Sequence, residues 1–218
     1  SETEVNDVVA RYTGRVSVAA VNAPEALVIS GDEDAVAEIG AQFAERGRKT
    51  SRLRVSHAFH SHRMEPMLAE FQSVAMDLTY TRLRLPVVSN VSGQLAGDEV
   101  REPSYWVRQV RAAVRFAPGI EKLISSGVRR FLEVGPDAVL AAMTRQTLPE
   151  GVESVVAAAA RRDHDEPQQF LTMLGHAHTS GGRVDWTPLF RRPSVRRVPL
   201  PTYAFQHQRF WLPPRPEA

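Results

Sequence analysis

The segment Ser56-His57-Ala58-Phe59-His60-Ser61 sets two histidines around one aromatic ring, and a third, His62, follows directly. Imidazole exchanges protons near neutral pH, so a histidine here could serve as a general base, and the Phe59 ring could shape whatever sits beside it. Residue types alone admit three descriptions of the cluster. It is an ordinary hydrogen-bonded histidine group, a metal site of spacing His-x-x-His-x-His with no carboxylate at a matching spacing, or the base of a nucleophilic reaction. A base needs a nucleophile, and the Gly-x-Ser-x-Gly turn that exposes a serine between strand and helix occurs nowhere in the 218 residues. Spacing leaves the three open.

The elements that must position this segment follow from periodicity. Val5, Val8, Val9 and Tyr12 fit one face of a short helix ended by Gly14. Residues 16–21 are rich in β-branched side chains and predict a strand; Asn22-Ala23-Pro24-Glu25 predicts a turn, and 26–30 a second strand. Gly31-Asp32 leads into a helix carrying Val36, Ile39 and Phe43 on one stripe and stopped by Gly47, after which 52–55 alternates like a half-buried strand. That order is a βαββαβ ferredoxin-like unit without its opening strand, so the chain is expected to begin inside a domain.

Beyond the histidines, Met64, Met67, Leu68, Phe71, Val74, Ala75 and Leu78 repeat at helical spacing, and 85–91 predicts a buried strand. Helices are expected near 105–114 and 118–126, then a strand over 130–134, a helix over 138–146 and a further strand over 154–159, an alternation that suggests an α/β layer. From about 161 the texture changes. A helix over 166–176 and a Ser180-Gly181-Gly182 turn precede Pro188, Pro193, Pro199 and Pro201, a spacing that excludes a long helix. The apolar residues there, Trp186, Phe190, Tyr203, Phe205, Phe210 and Trp211, suggest an extended arm laid along another surface.

Composition narrows the class. A hydrophobic content of 43% is ordinary for a globular protein with a core, and 27 basic against 25 acidic residues, net +2, does not argue for nucleic acid. The pairs Arg191-Arg192 and Arg196-Arg197 fall in the proline-rich arm, where solvent or acidic neighbours suit them better than a phosphate backbone. With no cysteine there are no disulfides or thiolate zinc sites, and a reducing cytoplasm is the expected location. The longest small apolar run, 155–160, is far short of the ~20 residues that cross a bilayer, so no membrane association is expected.

Asn22-Ala23-Pro24 followed by Val28-Ile29-Ser30-Gly31, then His57-Ala58-Phe59-His60-Ser61, Tyr105-Trp106-Val107-Arg108-Gln109-Val110 and Glu133-Val134-Gly135-Pro136 resemble, in order and spacing, the landmarks of the acyltransferase domain of modular type I polyketide synthases. The closing stretch from Leu200-Pro201-Thr202-Tyr203 to Phe210-Trp211 resembles the linker that follows that domain and packs back toward the neighbouring ketosynthase.

The resemblance implies an α/β fold in three parts: a ferredoxin-like small subdomain lacking its first strand (1–56), the C-terminal part of an α/β-hydrolase-like large subdomain (57–160), and a post-acyltransferase linker (161–218). It implies an acyltransferase that moves a malonyl unit from malonyl-CoA to the phosphopantetheine thiol of an acyl carrier protein through an acyl-serine. No cofactor is expected on this chain itself. Its implied partners are the N-terminal part of the same domain, which would carry the serine and the carboxylate-binding arginine, the ketosynthase with its linker, and the carrier protein.

By motif match the base is His60, with His57 structural, and the backbone carbonyl at Gln109 is implied to hold the second ring nitrogen in place of a triad aspartate. Phe59 stands where the family senses the α-substituent, phenylalanine accompanying malonyl and serine methylmalonyl units. Rejecting one methyl is worth ~1–3 kcal/mol, a selectivity of about 10 to 200-fold. Asn22, Asn90 and Val139 are implied lining residues, beside their readings as turn formers and a helix-start core valine. A docking module without catalysis and a histidine-metal hydrolase are the alternatives in other classes.

Overall fold

The computed structural model describes residues 1–191 and 198–206, and the chain divides into two units, 1–183 and 184–218. Arg192, Pro193, Arg196, Arg197, Phe210 and Trp211 lie outside the described residues.

The first unit opens with helix α1 (Glu2–Val9), which tightens into a 3-10 turn (Ala10–Tyr12) and is released by Gly14 at φ 80°. Strands β1 (Val16–Ala23) and β2 (Ala26–Gly31) form an antiparallel hairpin whose two-residue loop, Pro24 and Glu25, follows the Ala23–Ala26 pair. The turn expected over 22–25 is thus tighter, because β1 runs on to Ala23, with Asn22 the extra residue of a bulge between the Val21–Leu27 and Ala23–Ala26 pairs. Helix α2 (Glu33–Glu45) places Ala35, Ile39 and Phe43 at i, i+4 and i+8, and all three are buried. They meet Val8 of α1 and Val16 of β1, with Val5, Val9, Tyr12, Ile29 and Val36 packed around them. Each large side chain fully buried in such a core contributes roughly 1.5–3 kcal/mol, and Ile39 is fully enclosed.

Two expected strands do not form. Residues 52–55 are irregular, with Leu53 and Val55 exposed, so the small unit here is α-β-β-α with a two-stranded sheet rather than a ferredoxin-like sheet of three. Over 85–91 only Val88 bridges a neighbour, Leu95, and the segment is a tight loop closed by Ser89 N–H to Gln94 O and Ala96 N–H to Val87 O, both 2.8 Å. A strand requires a hydrogen-bonding neighbour, and alternation or apolarity in the sequence cannot provide one.

Helix α3 (Glu65–Met76) follows the histidine segment, with Met64 and Ala75 buried but Val74 and Leu78 exposed. Helix α4 (Pro103–Arg111) ends three residues before the expected limit of 114, because Ala112 turns extended and Val114 instead bonds β1: Val21 N–H to Val114 O and Val114 N–H to Ala19 O, both 2.8 Å. Helix α5 (Phe116–Ser125) leads to β3 (Arg130–Glu133), α6 (Val139–Thr147) and β4 (Val155–Ala158), and the two strands pair in parallel from Arg130–Val155 to Glu133–Ala158. Helix α7 (Glu166–Thr179) packs against β3 and β4. It therefore belongs to the first unit, whereas the sequence suggested a change of texture at 161; the division falls after Arg183.

In the second unit, one helical turn, α8 (Thr187–Phe190), begins at Pro188 as its second residue, and Asp185 Oδ1 accepts from Thr187 N–H at 2.9 Å. Phe190, Leu200, Tyr203 and Phe205 are exposed, and the Tyr203 and Phe205 rings meet edge to face at 5.2 Å.

Candidate active site

The histidine segment is anchored at both ends of a turn. His60 has φ 62°, the left-handed region, which costs a residue with a Cβ about 1–2 kcal/mol and persists only when the surroundings fix it. Three bonds do so. The backbone N–H of His60 donates to Val110 O at 3.2 Å; the Ser61 hydroxyl donates to Ala58 O at 2.6 Å; and Ser61 Oγ accepts from Arg63 N–H at 3.2 Å, starting the 3-10 turn His62–Met64. Ser61 has no exposed surface.

Val110 is in the last turn of α4, where the carbonyls lack intrahelical partners and carry partial negative charge. The His60 N–H satisfies one of them. Nδ1 of His60 is buried with no hydrogen-bond partner, so the expected bond from that nitrogen to the Gln109 carbonyl is absent; the neighbouring carbonyl, Val110's, is engaged by the backbone instead.

Phe59 is 50% exposed. Its ring lies 6.3 Å from that of His60, tilted by 51°, and 6.2 Å from that of His57 at 71°. His57 is exposed and its Nδ1 meets Ser56 Oγ at 2.9 Å. His62 is turned the other way: its Nε2 lies 3.1 Å from Asp32 Oδ1. No group of three histidine, aspartate or glutamate side chains suited to a metal ion gathers among the described residues.

The segment 109–115 links several of the expected residues. Val110 O holds His60, Val114 bonds Ala19 and Val21 on either side of Ala20 and just before Asn22, and Arg115 N–H donates to Asn90 O at 2.7 Å. Asn22 is half-buried on β1; Asn90 sits exposed in a turn rather than at a strand end. Ser89, immediately before it, is buried against Tyr105 of α4 with the two hydroxyl oxygens 2.7 Å apart. Val139 begins α6 and is 50% exposed, so it is not the core valine expected at a helix start. Glu133, in the Glu-Val-Gly-Pro stretch, caps α6: its carboxylate accepts from Leu140 N–H at 3.1 Å and Ala141 N–H at 2.6 Å.

Asp32 escaped notice in the sequence, where Gly-Asp before an apolar stripe is an ordinary helix start. Its Oδ1 meets Arg63 Nε at 2.8 Å and Arg63 Nη2 at 2.7 Å as well as His62, and its Oδ2 meets Arg15 Nε at 3.2 Å. Burial works against its negative charge, but the hydrogen bonds from Arg63 and Arg15 and the charges of Arg63 and His62 outweigh it and hold the carboxyl below the usual range.

Residues 2–184 match the family described as Acyl transferase domain. The chain is 50% identical over 204 residues to the polyketide synthase GfsA of Streptomyces halstedii, covering 92% of this chain and 3% of that protein. It is similar to the solved acyltransferase domain from the second module of the salinomycin polyketide synthase, with TM-score 0.84 and 51% identity over 94% of this chain and 48% of that one. It is also similar to the malonyl-CoA:acyl carrier protein transacylase of Xanthomonas oryzae pv. oryzae, with TM-score 0.70 and 26% identity over 80% of this chain and 54% of that one. The chain thus spans about half of these solved domains and a few per cent of the synthase.

Proposed function

The chain belongs to the acyl transferase domain family in the form found in modular type I polyketide synthases, and on that premise we propose that it carries the general base of a malonyl transferase. In this reading a serine from the other half of the domain attacks the thioester carbonyl of malonyl-CoA. His60 Nε2 takes the hydroxyl proton as the oxygen–carbon bond forms, then delivers it to the departing coenzyme A sulfur. The second half runs in reverse: the phosphopantetheine thiol of a carrier protein loses its proton to His60, attacks the acyl-serine, and the serine oxygen regains the proton.

The observation that carries the reading is the turn at His60. A left-handed non-glycine backbone bonded to the end of α4, with Nδ1 buried, leaves Nε2 as the nitrogen for a substrate. The carbonyl end of α4 is favourable to positive charge arriving on that segment. Phe59, half-exposed and beside the ring, is suited to fill the space of an α-methyl and so select malonyl. The finer architecture, an α/β-hydrolase-like large subdomain shared with the other half of the domain, belongs to the same proposal. The exposed Leu83, Leu85, Val87 and Val134 have the character of an internal surface of such a domain. The exposed Tyr203–Phe205 pair suits an arm that lies on a ketosynthase and its linker.

The test is malonyl transfer from malonyl-CoA to a carrier protein by the complete domain and its His60→Ala variant. A loss of about 10²–10⁴-fold is expected, and an undiminished rate overturns the assignment.

A further inference from the structure

Asp32 occupies the N-cap of α2, where an aspartate side chain ordinarily accepts a backbone N–H from the first turn of its own helix. Here it makes no such bond. The carboxylate is turned instead toward two residues distant in sequence, His62 and Arg63, which directly follow the turn bearing His60. Its placement is built into the backbone. Gly31, at which any Cβ would collide with the Arg15 carbonyl, lets the chain pass close enough for Asp32 N–H to donate to Arg15 O at 2.8 Å. Arg15 then holds the other carboxylate oxygen.

We propose that Asp32 is a positioning residue for His60. The imidazole sits between two fixed points: at the turn itself the His60 N–H and the following Ser61 hydroxyl donate to Val110 O and Ala58 O, and beyond the turn Asp32 grips the side chains of His62 and Arg63. A left-handed residue relaxes toward the ordinary right-handed or extended regions unless both flanks are held, and the charge-assisted, forked contact with Arg63 is the stronger of the two C-terminal holds. Releasing it swings the ring while leaving the substrate's own binding groups in place, so the effect falls on the rate of proton transfer rather than on substrate affinity. The inference rests on the reading of His60 as the base.

The experiment is pre-steady-state acylation of the complete domain by malonyl-CoA, with burst amplitude reporting the folded fraction and burst rate the chemistry. Asp32→Ala is expected to keep the wild-type amplitude and the malonyl-CoA concentration dependence within about two-fold, and to lower the burst rate by about ten-fold or more. Asp34→Ala, which removes the neighbouring carboxylate on Arg15 but touches nothing near His60, is the matched control and is expected to match wild type. Asp32→Asn keeps the volume with one acceptor oxygen and is expected to be slowed less than the alanine variant; where the alanine variant does not fold, it decides alone. A wild-type burst rate in whichever variant folds, or a loss confined to amplitude, overturns the proposal. If His60→Ala is inactive while the Asp32 variants are unaffected, this inference alone fails; if His60→Ala retains its rate, the base reading fails with it.

Discussion

The hydroxyl oxygens of Ser89 and Tyr105 lie 2.7 Å apart in a site that excludes water from both, joining the loop before Asn90 to the helix whose end holds His60. Ser89 Oγ also accepts from Val91 N–H at 3.1 Å, so one small side chain organises the turn and fixes it to α4. Tyr105→Phe removes the partner and leaves a buried hydroxyl with less to bond. A loss of about 1–2 kcal/mol is expected, read as a lower urea midpoint of the complete domain at unchanged slope. A midpoint equal to wild type would show that Ser89 is satisfied by the loop alone.

Phe59 lends itself to a cleaner separation, because a half-exposed ring contributes little to the core. Phe59→Ala is expected to change stability by no more than about 0.5 kcal/mol. It should cut the preference for malonyl-CoA over methylmalonyl-CoA by about 10 to 200-fold. Competition between the two thioesters in one reaction measures that ratio directly. An unchanged ratio assigns extender choice to residues elsewhere in the cleft.

Glu133 is predicted to matter for folding rather than for chemistry. Its two oxygens accept the N–H groups of Leu140 and Ala141, orphan donors at the start of α6, and its negative charge meets the positive end of that helix. Glu133→Ala is expected to cost about 1–2 kcal/mol, in line with loss of a helix cap. Burst amplitude should fall at elevated temperature while the burst rate of the folded fraction stays as it was; a lowered rate at full amplitude would give Glu133 a part in the site.

What was legible in the sequence, and what was not, divides along physical lines. The α2 stripe, expected at 36, 39 and 43, buries Ile39 and Phe43 with Ala35 as the third enclosed residue and Val36 only partly covered, and the β1–β2 hairpin formed close to where the pattern put it; local periodicity and a tight turn set both. The segments 52–55 and 85–91 carry strand-like patterns, but pairing depends on a neighbour that no local pattern contains. Residues 112–115 have the same origin in reverse: helix-compatible side chains leave the helix because the β1 edge offers Val114 better hydrogen bonds. The site shows the same split. The histidine cluster stood out by residue type and the family resemblance singled out His60 and Phe59 within it, whereas Asp32 looked like a routine cap, since its partners Arg15, His62 and Arg63 are distant in sequence and become visible only once the chain has folded.

The charge cluster at Asp32 predicts the acid limb of stability. Its folded-state carboxyl is held low against the opposing effect of burial by hydrogen bonds from Arg63 and Arg15 and by the charges of Arg63 and His62. Asp34 beside it is held low by hydrogen bonds from Arg15 and the Ala35 N–H. Both groups ionise more readily folded than unfolded. Their contribution is therefore complete above the unfolded carboxylate pKa of about 4 and is lost as pH falls through the lower folded values. Arg15 and Arg63 stay charged throughout and cannot compensate. Urea midpoints of the complete domain should be flat with respect to these two groups from pH 7 down to about 5 and then decline. In Asp32→Asn the decline should be shallower, because that variant has already lost the larger group of contacts at every pH. An identical acid slope in the two proteins would mean that the Asp32 cluster adds nothing to the folded state, and that the His60 turn is held by α4 alone.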